Sequence, residues 1–137
     1  MNSLNRFVDP VYCILRLIVG LLFASHGGQL IIGMFGGMKG ADAMLLQVAG
    51  WILLIGGFMI AFGLLTRIAA FISSGFMAVA YFMVHAPQGF FPIATKGELA
   101  VFYCWVFLFM FFYGSGRWSL DALLFKTGIF APASATR

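Results

Sequence analysis

Apolar residues run through this chain in four long blocks, separated by short polar or glycine-rich breaks. The blocks cover about residues 11–34, 43–66, 68–85 and 98–115. The second has no charge between Asp42 and Arg67, and the fourth has none between Glu98 and Arg117. A spanning helix needs about 20 mostly apolar residues, whereas a membrane strand needs about 9–11 in alternation. These blocks are continuous, so they predict helices. Pro10 stands just before the first, where a missing N–H costs little. The third stops before Pro87. The pattern predicts an all-α membrane protein: one domain over residues 1–137, built as a four-transmembrane-helix antiparallel bundle.

The breaks refine this. Thr66-Arg67 leaves only a tight antiparallel hairpin between the second and third spans. A glycine-rich stretch over 33–40 joins the first two, and residues 86–96 join the last two. Helix contacts in a bilayer favour small residues. Gly33-x-x-x-Gly37, Gly56-Gly57, Gly63 and Ser73-Ser74-Gly75 are the expected close-approach points. Trp51 and Trp118 are expected in the interfacial aromatic belts.

Composition closes off other classes. The 137 residues are 63% hydrophobic and 9% charged, with mean hydropathy +1.04. A soluble domain has about 45–50% apolar and about 25% charged residues. A soluble enzyme, a nucleic-acid-binding domain and a disordered chain are all excluded. The two cysteines, Cys13 and Cys104, lie in apolar runs and form no C-x-x-C, so they read as small hydrophobes.

The net charge of +4 reports topology and lipid contact rather than nucleic acid. Four spans put both termini on one side, together with Arg6, Arg67, Arg117, Lys126 and Arg137. Lys39 and Lys96 fall on the other. The positive-inside rule places both termini in the cytoplasm of a bacterial-type inner membrane. Arg6 and the following apolar run resemble a signal peptide, but Arg16 interrupts its core, so a retained first helix is expected. Arg16 itself is expected to snorkel to the inner interface, with Asp9 and Asp121 as partners.

Polar groups within spans carry the chemistry. His26 lies roughly 22 Å up the first span and His85 roughly 27 Å up the third, both near the outer interface. Glu98 opens the fourth span on that side, with Gln29, Gln88, Lys39, Asp42 and Lys96 nearby. Three readings stay open for this cluster. It caps helices and faces headgroups; or it forms a quinone site, where a quinol's protons need acceptors beside an apolar slot; or His26 and His85 ligate a haem or metal. The sequence shows no further metal-ligand motif, so no metal site is assigned.

Several ordered segments resemble the DoxX family of membrane proteins. They are Arg16-Leu17-x-x-Gly20-x-x-Phe23-x-x-His26-Gly27, then Gly56-Gly57 with Gly63-Leu64-Leu65-Thr66-Arg67-Ile68-Ala69-Ala70. Met77, His85 and Gly89-Phe90-Phe91 follow, then Gly97-Glu98 and Gly114-x-Gly116-x-x-Ser119-Leu120-Asp121. The resemblance spans roughly 11–122 and implies a four-helix membrane bundle linked to redox work. Some members are subunits of a thiosulfate:quinone oxidoreductase, and others associate with thiol-oxidant defence proteins. Arg16, His26, Glu98 and Asp121 fall on motif positions, with no catalytic role to transfer. Many members carry a carboxylate about four residues before the second span's Gly-Gly pair; here Trp51-Ile52-Leu53-Leu54 stands there.

Two function classes follow. The preferred one is an accessory subunit of a larger, redox-linked membrane complex, contacting lipid and other redox subunits and not catalytic alone. The alternative is a quinone-binding oxidoreductase component. There His26, His85 and Glu98 would exchange protons, with Gln29 nearby and Phe90, Phe91 and Tyr103 lining a ring slot. The electrons would come from a separate donor.

Overall fold

The computed structural model describes residues 3–37 and 43–125. Lys39, Asp42, Lys126 and Arg137 lie outside the described residues. The helices are α1 (Val8–Ile32), α2 (Met44–Phe62), α3 (Thr66–Ala80), α4 (Pro92–Thr95), α5 (Glu98–Tyr113) and α6 (Leu120–Leu124). A 3-10 turn, Ser3–Phe7, leads into α1, and α3 continues as a π turn, Tyr81–His85, then a 3-10 turn, Ala86–Gln88. Three helical stretches are long and apolar enough to cross a membrane: Ser3–Ile32, Met44–Phe62 and Thr66–Gln88. The protein is an all-α integral membrane protein. The end bearing the α2–α3 turn and the start of α1 is called proximal, the opposite end distal.

Neighbouring helices run antiparallel around the bundle. On α1 and α2, Gly20 meets Gly57 and Ala61, while Gly27 meets Gly50 and Leu54. On α3 and α5, Arg67 bonds to Phe111, Ser74 to Cys104, and His85 packs on Gly97. Between α1 and α5, Tyr12 packs on Tyr113 and Phe23 on Phe107, with centroids 4.4 and 4.7 Å apart. Phe23, Phe107, Ile60 and Met110 are fully buried and form the core. Most large apolar side chains point outward, as lipid, unlike water, permits.

The closest approach is between α1 and α2. A Cβ on Gly57 would stand 2.5 Å from the Ala24 nitrogen and 2.6 Å from the Gly20 oxygen. Backbone atoms cannot give way, so the helices would separate. Gly57→Ala is therefore expected to lower stability by about 1–3 kcal/mol, the range for overpacking. A free helix would instead gain about 1 kcal/mol from that change. The sign of the melting shift in detergent decides between them.

Other predicted glycine contacts are corrected. Gly33 has φ +66° and ends α1, and Gly37 has φ +64° outside any helix. Gly33-x-x-x-Gly37 is thus a helix stop, not a packing motif. Gly63, at φ +72°, ends α2 in a Schellman arrangement, with Gly63 N–H donating to Ile60 O and Leu64 N–H to Met59 O. This shortens the predicted second span, 43–66, by about one turn. Trp51 and Trp118 are both exposed; Trp118 lies at the proximal end, whereas Trp51 is roughly 10 Å down α2 from its distal start.

The fourth span departs most from expectation. Helix α5 has 16 residues, roughly 24 Å, against a hydrocarbon core of about 30 Å. Beyond it, Gly114, Ser115 and Gly116 continue as irregular, buried backbone. Such backbone is tolerated at membrane depth only where protein groups satisfy it. Tyr12 Oη donates to Gly114 O at 2.5 Å. Arg16 Nη1 donates to Ser115 O, and Arg16 Nη2 to Trp118 O at 2.9 Å. Arg67 Nη1 donates to Phe111 O at 3.0 Å. Two guanidiniums thus sit at the negative end of the α5 dipole.

The expectation that Arg16 snorkels to the interface is overturned. Its side chain is turned inward and only 2% exposed. Neither expected carboxylate partners it. Asp9 makes a 3.6 Å pair with Arg117. Asp121 accepts from the backbone nitrogens of Leu65 and Thr66 at 2.6 and 2.8 Å. The two cysteines are free and half-buried; Cys13 donates weakly to Trp118 O, and Cys104 contacts Ser74 Oγ.

Candidate functional site

At the distal end all four long helical segments contribute to one small cavity of about 160 Å³. Its polar wall is His26, His85, Lys96 and Tyr103, and its apolar wall includes Phe23, Leu53 and Met77. His26 projects from α1 and rests edge-on against Tyr103 of α5, centroids 6.1 Å apart. Tyr103 is buried by stacking on Phe107 and packing on Phe23.

His85 reaches the cavity from the π turn. Wide turns of this kind recur at functional sites because they shift side-chain register. The ring stacks on Tyr81 at 6.2 Å. Opposite it is Gly97, where a Cβ would lie 2.8 Å from both the His85 Cβ and Cγ. Only glycine lets the α4–α5 connection cross the imidazole this closely. Lys96, just before it, takes a left-handed φ of +57° that turns the chain into α5.

Both imidazoles are tied in the same way. His26 Nδ1 lies 2.8 Å from Leu22 O, and His85 Nδ1 lies 2.9 Å from Thr95 O. A carbonyl only accepts, so each Nδ1 carries the hydrogen. In the neutral ring that leaves Nε2 as a bare acceptor. Neither Nε2 has a hydrogen-bond partner among the described residues. The cavity therefore combines two acceptor nitrogens, one ammonium and one phenol in an otherwise apolar enclosure. Among the described residues, no three His, Cys, Asp or Glu side chains gather as a metal-binding group.

The remaining sequence candidates lie elsewhere. Glu98 begins α5 but lines a different groove, on the side facing Leu15 and Trp105. Gln29 is half-buried one turn beyond His26 and is not part of the cavity wall. Gln88 donates to Val84 O instead. Phe90 and Phe91 are 85% and 69% exposed and pack on each other, so they line no slot. They sit on the short connection before α4, and a loop that crosses the bundle end cannot bury both faces. Lys96 is the wall residue that sequence spacing undervalued. Its signal was position: a lone cation beside the glycine that meets His85.

Arg16 and Asp121 are both at the proximal end but do not meet each other. They brace the 114–121 segment from opposite sides, with Gly63 between Arg16 and Ser119. Nothing there resembles a substrate site.

The sequence model of the DoxX family matches residues 11–86, more than half of the chain. That stretch holds most of α1, all of α2 and α3, and both His26 and His85. A protein of Haemophilus influenzae, described only as uncharacterized, is 41% identical over 133 residues, covering 92% of this chain and 99% of its own. No solved structure matches. With more than half of its length matched to the family model, and its three longest helical stretches apolar enough to span a membrane, the chain belongs to the DoxX family.

Proposed function

We propose that this protein is a membrane subunit of a larger redox-linked complex, and that its distal cavity receives the headgroup of a quinone or quinol. The two termini then face the cytoplasm of a bacterial-type inner membrane and the cavity faces the outer leaflet. The observation that carries this reading is the matched pair of imidazoles, each with Nδ1 anchored and Nε2 bare, at a cavity of ring size. An engineered cavity of about 150 Å³ holds benzene, and this one has about 160 Å³.

Oxidation of a quinol releases two electrons and two protons. The residues of this chain account for the protons: His26 and His85 each take one at Nε2. Tyr103 and Lys96 donate hydrogen bonds to ring oxygens, and Phe23, Leu53 and Met77 hold the ring out of water. The electrons pass to a partner redox protein, which makes this chain a subunit rather than a complete enzyme.

The test uses the full chain purified in mild detergent and a short-chain quinone analogue. Each imidazole hydrogen bond is worth about 1 kcal/mol, so His26→Ala and His85→Ala are each expected to weaken binding roughly five- to tenfold. Phe90→Ala leaves it unchanged. Binding that survives both histidine variants at unchanged melting temperature would sink the proposal, as would no binding by the wild type.

A further inference from the structure

A second groove lies on the outside of the bundle, between α1 and α5. It has about 530 Å³ and is lined chiefly by Phe102, Trp105 and Phe109, with Leu15 across from them. Glu98 is its only charged residue, at the distal end. The volume is within the range of ligand sites, about 300–1,000 Å³. From Glu98 to Phe109 the groove runs roughly 16 Å along α5. That is about half of the hydrocarbon core, the depth of one leaflet. Trp105, halfway down, is 66% exposed, so no other part of the described chain covers the trough.

Glu98 has no ion pair or hydrogen bond from its side chain among the described residues. Lys96, two positions earlier, lines the histidine cavity instead. The groove is thus an apolar channel one acyl chain long, with a lone carboxylate at headgroup level. We infer that it is a binding site for a phospholipid with a primary-ammonium headgroup, of the phosphatidylethanolamine type. One acyl chain lies along Phe102, Trp105 and Phe109, and the ammonium donates to Glu98.

The choice of headgroup follows from its chemistry. A primary ammonium has three N–H donors and makes a charge-assisted hydrogen bond to a carboxylate. A choline headgroup has no N–H to give. A glycerol headgroup leaves the lipid a net anion beside Glu98, and like charges repel. This inference is independent of the quinone reading, because the two sites share no charged residue and lie on different faces of α5.

The experiment is native mass spectrometry of the full chain, delipidated in mild detergent. It is then incubated with equal amounts of phosphatidylethanolamine, its mono- and dimethylated forms, phosphatidylcholine and phosphatidylglycerol of identical chains. Retention is expected to fall stepwise with each methyl group. The first and last members should differ about tenfold or more, the value of one charge-assisted hydrogen bond. Phosphatidylglycerol should be retained least. Glu98→Gln should level the series, and Trp105→Ala should lower every member alike. Equal retention of all headgroups in the wild type would overturn the inference, as would a preference that survives Glu98→Gln. So would a photo-crosslinker at Phe102 that captures a polypeptide from native membranes rather than lipid. The methylation series needs no variant, so a folding defect in Glu98→Gln cannot obscure the result.

Discussion

Asp121→Ala should destabilise the bundle by about 3 kcal/mol or more, the largest loss expected from any carboxylate among the described residues. The side chain is 1% exposed and holds two backbone nitrogens at once, those of Leu65 and Thr66. Hydrogen bonds to a charged group are worth about 1.5–3 kcal/mol each, and removing the acceptor leaves buried donors unpaired. The carboxylate also sits at the N-terminus of α3, where a negative charge adds about 0.3–1 kcal/mol. Asp121 further donates its own N–H to Gly63 O at 2.8 Å, tying the C-terminal segment to the α2–α3 turn.

That turn is under strain. Leu65 has φ +46°, a conformation that costs a non-glycine residue about 1–2 kcal/mol. Asp121 holds it there from 56 positions away. The double variant Asp121→Ala with Leu65→Gly should therefore recover part of the loss, about 1 kcal/mol. Thermal unfolding in detergent reads both values. Asp121→Asn should fall in between, because one face of the amide still accepts while the other presents N–H to N–H. If Asp121→Asn melts like the wild type, the carboxylate is not the helix cap described above.

Arg16 carries the second large effect. Arg16→Ala should cost about 3 kcal/mol or more, because two hydrogen bonds from a charged group, about 1.5–3 kcal/mol each, are lost and two buried carbonyls are left unpaired. Its guanidinium serves Ser115 O and Trp118 O together, and the side chain is buried within the protein. Arg16→Lys is the sharper experiment. A lysine at the membrane edge anchors topology as well as an arginine does, so an interfacial Arg16 would tolerate it. A buried fork cannot, because one ammonium on a flexible stem lacks the planar set of donors that reaches two separated carbonyls. Arg16→Lys is expected to cost about 1–3 kcal/mol, with unchanged topology in a cysteine-labelling assay.

Arg16 and two neighbouring donors explain how a fourth span of 16 residues suffices. Lipid forbids unpaired carbonyls, so a helix that ends early must hand its last acceptors to other donors. Tyr12, Arg16 and Arg67 are those donors, all from the proximal ends of α1 and α3. The buried Nε atoms of Arg16 and Arg67 have no hydrogen-bond partner among the described residues.

The helical blocks were legible from the sequence because the bilayer imposes one rule on every residue of a span: it must be apolar or paired. Uninterrupted hydrophobicity over 43–66 therefore meant a helix whatever packed against it. The chain ends of those helices were less legible. Gly63 and Gly33 terminate their helices by adopting positive φ, and nothing in a hydropathy pattern separates such a glycine from one that packs. Gly57 and Gly33 look alike in sequence; only the partner backbone near Gly57 distinguishes them.

At the candidate site, depth could be counted along each helix, and depth alone put both His26 and His85 near the same end of the bundle. Rotation could not be counted. Whether a side chain at the right height points inward depends on which neighbour the helix face meets. Glu98 and Tyr103 both belong to α5, yet one looks into an outer groove and the other into the cavity.

Local hydropathy and rise per residue already specify an all-α membrane protein, the order of its spans and the height of its polar groups. The tertiary structure alone decided which way those groups face. It turned Arg16 inward to pair distant carbonyls and engaged Asp121 with a turn 56 residues away. It also replaced Glu98 by Lys96 beside the two histidines. Such choices rest on contacts between segments far apart in the chain, and the local pattern carries no record of them.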